Sequence, residues 1–155
     1  MKDFHKDRSQ LILIAEDNAG DRCLIEEATR EIAVSFQLRF VSDGVELLEY
    51  LNREEPYQDD GLHPIPNLII LDHHMPRKNG LETLKALKQH EKWNRIPVIA
   101  YSTSQNQDVI GKYYQHGVSA YIEKKTELSE LLDTIRFIED FWFRIVNLPN
   151  PYSFW

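Results

Sequence analysis

Residues able to do chemistry together sit at the ends of successive apolar runs. Glu16 and Asp17 follow Leu11–Ala15, Asp72 follows Leu68–Leu71, Ser102 and Thr103 close the run from Ile96, and Lys124 follows "SAYIE". If these runs are strands of one parallel sheet, three carboxylates, a hydroxyl and an ammonium converge on its carboxyl edge. Clustered carboxylates resist joint ionisation unless a cation sits among them. Mg2+ suits such a site, because it takes one or two carboxylates, several waters and phosphate oxygens; Mn2+ could substitute. Asp17 and Asp72 could ligate directly, Glu16 through water, and the His74 backbone carbonyl could add an oxygen. With the charge neutralised, Asp72 becomes a nucleophile for phosphoryl transfer. Lys124 would stabilise the phosphoryl oxygens and Ser102 would donate a hydrogen bond.

Each residue also has a plainer reading. Asp72 with His73 and His74 could hold Zn2+ or Ni2+, although adjacent residues at a strand end point apart. Otherwise one histidine packs near the strand end and the other faces the pocket rim. Glu16 and Asp17 could be an acidic helix N-terminus favoured by the helix dipole. Lys124 could be a solvated lysine, a role that fits Lys125 better, and Tyr121 could be ordinary core or rim packing.

The elements that must position these groups are legible as alternating apolar runs and amphipathic segments. Strands are expected over Leu11–Ala15, Phe36–Val41, "NLIILD", Ile96–Ser102 and "SAYIE". "DRCLIEEATREIA" carries Cys23, Leu24, Ala28 and Ile32 at helical spacing. Asp43 with Glu46, Asn79 with Glu82, and Ser104 with Gln107 are spaced as capping boxes for the next three helices. A last helix is expected from near Thr126 towards Val146. The long loop "EEPYQDDGLHPIP" is either mobile or functional. Continuous apolar strands between helices imply an α/β fold, a doubly wound five-stranded parallel sheet with helices on both faces. Residues 1–8 are expected to be a flexible segment, 9–147 the domain and 148–155 a tail.

Composition narrows the function. The 155 residues fit one domain with a real core. The net charge of -7 argues against a broad nucleic-acid surface. Cys23 is the single cysteine, which excludes an internal disulfide and fits a reducing cytosol. No apolar run is long enough to span a bilayer, and the N-terminus lacks a signal-peptide core. A cytoplasmic protein that meets neither membrane nor nucleic acid directly is expected.

"LIAEDN", "LIILDHHMPRKNG", "VIAYSTS" and "HGVSAYIEKK", in that order, resemble the receiver domain of two-component response regulators over roughly Leu11 to Ile138. The long second loop and "IEDFWFRIVNLP" are similar to stand-alone regulators related to cyanobacterial phytochrome response regulators. The resemblance implies a flavodoxin-like strand order 2-1-3-4-5. It also implies that Asp72 accepts a phosphoryl group from a phosphohistidine on a sensor histidine kinase or phosphotransfer protein. Ser102 and Tyr121 would then act as switch residues that remodel the face of helix 4, strand 5 and helix 5. His74 and Ser104 would set the phosphoryl lifetime. The expected protein is a single-domain, phosphorylation-dependent switch without enzymatic turnover beyond its own phosphorylation and dephosphorylation. The family's proline after the lysine is replaced by Lys125, so a trans Lys124–Lys125 bond is expected.

That departure supports an alternative: a pseudo-receiver that serves as a phosphorylation-independent dimerisation or interaction module. A flavodoxin is opposed by "EDNAGD", which repels bare phosphate, and an aspartyl phosphatase by "DHHMP", which lacks a second acid. On the last helix, Leu128, Leu131, Leu132, Ile135, Ile138, Trp142 and Ile145 form one apolar stripe. Phe137, Phe141 and Phe143 point elsewhere, which suits either a homodimer through the last helix or cover by the tail "NLPNPYSFW".

Overall fold

In a computed structural model, which describes residues 10–154, the apolar runs form a five-stranded parallel sheet of order β2-β1-β3-β4-β5. The strands are β1 (Leu11–Ala15), β2 (Gln37–Val41), β3 (Leu68–Leu71), β4 (Val98–Ser102) and β5 (Ala120–Glu123). The helices are α1 (Ala19–Ile32), α2 (Gly44–Leu51), α3 (Gly80–Gln89), α4 (Gln107–Gln115) and α5 (Leu128–Ile138). The expected flexible segment 1–8 lies outside the described residues. β2 and β4 begin one and two residues later than expected, at Gln37 and Val98.

Alternation along the strands sends side chains to opposite faces. Leu11, Leu13, Ile69, Leu71 and Val98 pack with Leu47, Tyr50, Leu84, Leu87 and Tyr113 of α2, α3 and α4. Ile12, Ile14, Ile70, Ile99 and Tyr101 pack with Ile25, Ala28, Leu131 and Ile135 of α1 and α5. Both faces are covered, which is why β1, β3 and β4 read as unbroken apolar runs. Cys23 is exposed and stands off the buried stripe of α1, whose inner residues are Ile25, Ala28 and Thr29.

The expected caps fare differently. Asn79 and Glu82 form the complete reciprocal box. Asp43 accepts from the Glu46 N–H, but the Glu46 carboxylate accepts from the Ser42 N–H at 2.6 Å instead of closing the box. Ser104 does not cap α4. Asn106 does, accepting from the Asp108 and Val109 N–H groups, because it immediately precedes the first helical residue, Gln107, whereas Ser104 lies two residues further back.

The last helix does not run regularly to Val146. It is α-helical to Ile138 and π-helical over Glu139–Ile145. The wider turn changes the angular step, so Ile145 leaves the stripe and is 72% exposed. Phe143 and Val146 turn inward in its place, and Phe143 stacks on Phe36 with centroids 5.1 Å apart. The buried Glu139 carboxylate fixes the start of the wide turn by accepting from the Ser35 N–H and hydroxyl, each at 2.8 Å. The tail folds back, but not over Phe137 and Phe141. Pro151 is buried and the Tyr152 hydroxyl accepts from the Ile65 N–H at 3.2 Å, while Phe137 and Phe141 stack on each other and remain exposed.

The long second loop is fastened. The Tyr50 hydroxyl donates to the Pro64 carbonyl at 2.7 Å, and the rings of Tyr50, Tyr57 and His63 pack together. Arg53 bonds the His63 carbonyl and pairs with Asp60. Arg77, at φ 60, pairs with Asp43 and so ties the loop after β3 to the start of α2.

Burial pushes the Asp43 carboxyl up, but Arg77 and the N–H groups of Glu46 and Val45 outweigh it and hold the group below its ordinary 3.8. A lowered carboxyl stabilises the fold above the unfolded-chain value, and that contribution is lost as pH falls through the folded value. Asp43→Asn keeps the cap acceptor and removes the charge. It should unfold at lower urea than the unsubstituted chain at neutral pH. The difference in urea midpoints should close in strong acid.

Candidate functional site

Register brings the acidic groups together. Ala15 of β1 pairs with Leu71 of β3, so Glu16 and Asp72 leave the sheet side by side. The Asp72 N–H still donates to the Ala15 carbonyl at 3.1 Å, and the Glu16 N–H to the Val41 carbonyl at 2.9 Å. Oxygens of Glu16, Asp17 and Asp72 lie within 4.8 Å of one another. Glu16 and Asp72 are buried and Asp17 is exposed. This set can hold a hard cation, since it offers carboxylate oxygens with an open side. His73 and His74 do not join it. His73 turns away to Tyr113, whose hydroxyl hydrogen-bonds its Nδ1 at 2.7 Å, while His74 is exposed at the rim.

Lys124 enters the cluster from the end of β5. Its Nζ lies 2.7 Å from Glu16, 2.7 Å from Asp21 and 3.4 Å from Asp72. Burial disfavours the ammonium, but the Asp21 and Glu16 hydrogen bonds and the Asp72 charge outweigh it and hold the pKa well above the ordinary lysine value. Burial pushes the Glu16 carboxyl up; the Lys124 hydrogen bond opposes this and the Asp72 charge adds to it. Three mutually close carboxylate oxygens share one ammonium, and that donor set fits a further cation. The Lys124–Lys125 bond is trans, as expected.

Ser102 ends β4 fully buried, and its hydroxyl accepts from the Ser104 N–H at 3.2 Å. The Tyr121 hydroxyl donates to the Ser104 carbonyl at 2.7 Å. Ser102, Ser104 and Tyr121 thus form one hydrogen-bonded chain beside the acidic cluster. Tyr121 also packs against Tyr113, with centroids 5.4 Å apart, and its N–H donates to the Tyr114 hydroxyl at 3.1 Å.

Asp21 and Tyr113 escaped the sequence reading. Asp21 lies on the first turn of α1, one turn beyond the Glu16–Asp17 pair, a spacing that could have flagged it. Tyr113 lies inside α4, where no spacing to the acidic groups marks it.

Comparison with known proteins agrees with this fold. Residues 12–136 match the response regulator receiver domain family. Response regulator Rcp1 of Synechocystis sp. is 34% identical over 90% of this chain and 93% of its own length. The phosphorylated cyanobacterial phytochrome response regulator RcpA superposes with a TM-score of 0.83 at 37% identity, covering 92% of this chain and 100% of that one. Rcp1 in its Mn2+-bound form gives 0.80 at 34% identity, covering 90% and 99%. RPA3017, from red light signaling of R. palustris, gives 0.86 at 33% identity, covering 91% and 99%.

Gly80 supports the site from below. A Cβ there would collide with the Asp72 carbonyl oxygen and the Tyr113 hydroxyl. Gly80→Ala should therefore lower stability by about 1–3 kcal/mol, as overpacking does. Urea unfolding with an unchanged slope would record it.

Proposed function

The chain belongs to the response regulator receiver domain family, and on that premise we propose that it is a phosphorylation switch whose phosphoryl acceptor is Asp72. The reading rests on one juxtaposition: the mutually close oxygens of Glu16, Asp17 and Asp72, with Lys124 Nζ 3.4 Å from Asp72. An oxygen of Asp72 attacks the phosphorus of a phosphohistidine. The P–N bond breaks, its electron pair stays on the imidazole, which takes up a proton, and an aspartyl phosphate forms. Lys124 leaves its carboxylate partners to meet the phosphoryl oxygens, where its fixed charge favours the product. Water later attacks the phosphorus, returning the carboxylate and inorganic phosphate. No other turnover belongs to this reading.

Asp17 and Asp72, with Glu16 through water and the His74 carbonyl, would hold Mg2+, or Mn2+ in its place, as the Mn2+-bound form of Rcp1 supports for the metal class. Bound there, the ion supplies charge neutralisation for the carboxylates and the phosphoryl oxygens.

Ser102 is the switch hydroxyl. A move of Ser102 towards the phosphoryl group pulls on Ser104, whose carbonyl holds the Tyr121 hydroxyl. Phosphorylation shifts the population only as far as the phosphoryl group binds Ser102 and Lys124 better in one state. The face of α4, β5 and α5 then changes for a partner. The phosphoryl donor is a sensor histidine kinase or phosphotransfer protein, and the likeness to RcpA points to a light-responsive kinase. Such a switch would work in the cytoplasm. The pseudo-receiver alternative is not favoured, because Lys124 reaches Asp72 without the family's proline. A homodimer through Phe137 and Phe141 completes the reading, and sedimentation of Phe137→Glu should then show a monomer.

Mass spectrometry after acetyl phosphate with Mg2+ should find one added phosphoryl group, absent in Asp72→Asn; equal labelling of both sinks the proposal. His74 at the rim, with Ser104, sets the lifetime by screening the hydrolytic water. His74→Ala should change the decay of radiolabelled phosphate at least about threefold, on the order of one lost polar contact. An unchanged decay removes His74 from this role.

A further inference from the structure

Where the family carries proline, this chain has Lys125 and therefore one more backbone N–H. A partly buried N–H needs an acceptor, and the Tyr101 hydroxyl supplies it at 3.1 Å. Tyr101 is the next-to-last residue of β4, buried on the α1 and α5 face. The preceding N–H, that of Lys124, donates to the Ser102 carbonyl at 2.8 Å. Two consecutive N–H groups are thus tied to two consecutive residues of β4. The same ring faces the side chain of Lys124, whose Nζ lies 5.9 Å from its centroid, within cation–π range. Beyond the ring, Glu16 and Asp21 take the ammonium. Burial raises the Tyr101 hydroxyl above its ordinary value, so it stays neutral and can accept from Lys125.

We propose that Tyr101 is a positioning residue for Lys124. Its hydroxyl fixes, through the Lys125 N–H, the backbone that carries Lys124, and its ring steers the lysine stem towards Asp72. The inference rests on Asp72 being the phosphoryl acceptor. Tyr101 acts through Lys124 and touches neither the carboxylates nor the phosphoryl group.

The test measures the rate of aspartyl phosphate formation from acetyl phosphate at saturating Mg2+, by intact mass, in the full chain. The variants are Tyr101→Phe, Lys124→Ala and the two combined, with Mg2+ affinity measured for each. Tyr101→Phe keeps the ring and should leave Mg2+ affinity unchanged while slowing labelling about three- to tenfold, the worth of one hydrogen bond. In the Lys124→Ala background the same substitution should add nothing, because its effect passes through the missing side chain. An equal slowing in both backgrounds overturns the proposal, as does unchanged labelling in Tyr101→Phe or a parallel loss of Mg2+ affinity. Failure of the unsubstituted chain to label would instead remove the acceptor role of Asp72, and this inference with it.

Discussion

Repulsion among Glu16, Asp17 and Asp72 governs the carboxyl edge of the sheet. The pairing of Ala15 with Leu71 forces two of these groups side by side, and strands covered on both faces cannot slide apart to relieve them. A positive charge must come to the carboxylates. Lys124 provides part of it from the far end of the chain, so the acidic cluster also fixes where β5 ends and how the segment before α5 is placed. The stabilisation is shared: Lys124 stays charged because of its partners, and the partners tolerate one another because of Lys124.

Much of this was legible in the sequence because it depends on periodicity and local spacing. Buried parallel strands are apolar throughout, and their ends mark the site. Asn79 and Glu82 cap as their spacing predicts, because both partners lie within one turn. The misses share a cause. Ser104 and Gln107 had the spacing of a box, but Asn106 was nearer the helix start. Ile145 had α-helical phase, and the π-helical turn changed that phase through Glu139 and Ser35, which are far apart in sequence. Tyr101 and Tyr113 matter through contacts across elements, and no local pattern announces those; Asp21, one turn beyond Asp17, had a spacing that could have marked it.

Tyrosine hydroxyls recur as fasteners around the site. Tyr101 holds Lys125, Tyr113 holds His73, Tyr114 holds the N–H of Tyr121, and Tyr121 holds Ser104. Each carries a rigid ring that ends in a polar group, three of them reaching loops and Tyr114 reaching β5. Loops at the edge of a sheet have few neighbours of their own, so one directional bond from a packed ring, as from buried Tyr101 and Tyr113, orders them at small entropic cost. The same device closes the second loop, where Tyr50 reaches Pro64.

The wide turn at Glu139–Ile145 makes chain length itself a structural variable. An i→i+5 stretch accommodates one residue more than an α-helix ending at the same place. A single-residue deletion in that stretch would be absorbed as regular α-helix, with the hydrogen bonds re-formed. An insertion has no such outlet: the turn is already widened, so an added residue would rotate everything downstream, taking Phe143 off Phe36 and Tyr152 off Ile65. The C-terminal segment is therefore tolerant of substitution at its exposed positions and intolerant of insertion, a constraint written in residue count more than in residue identity.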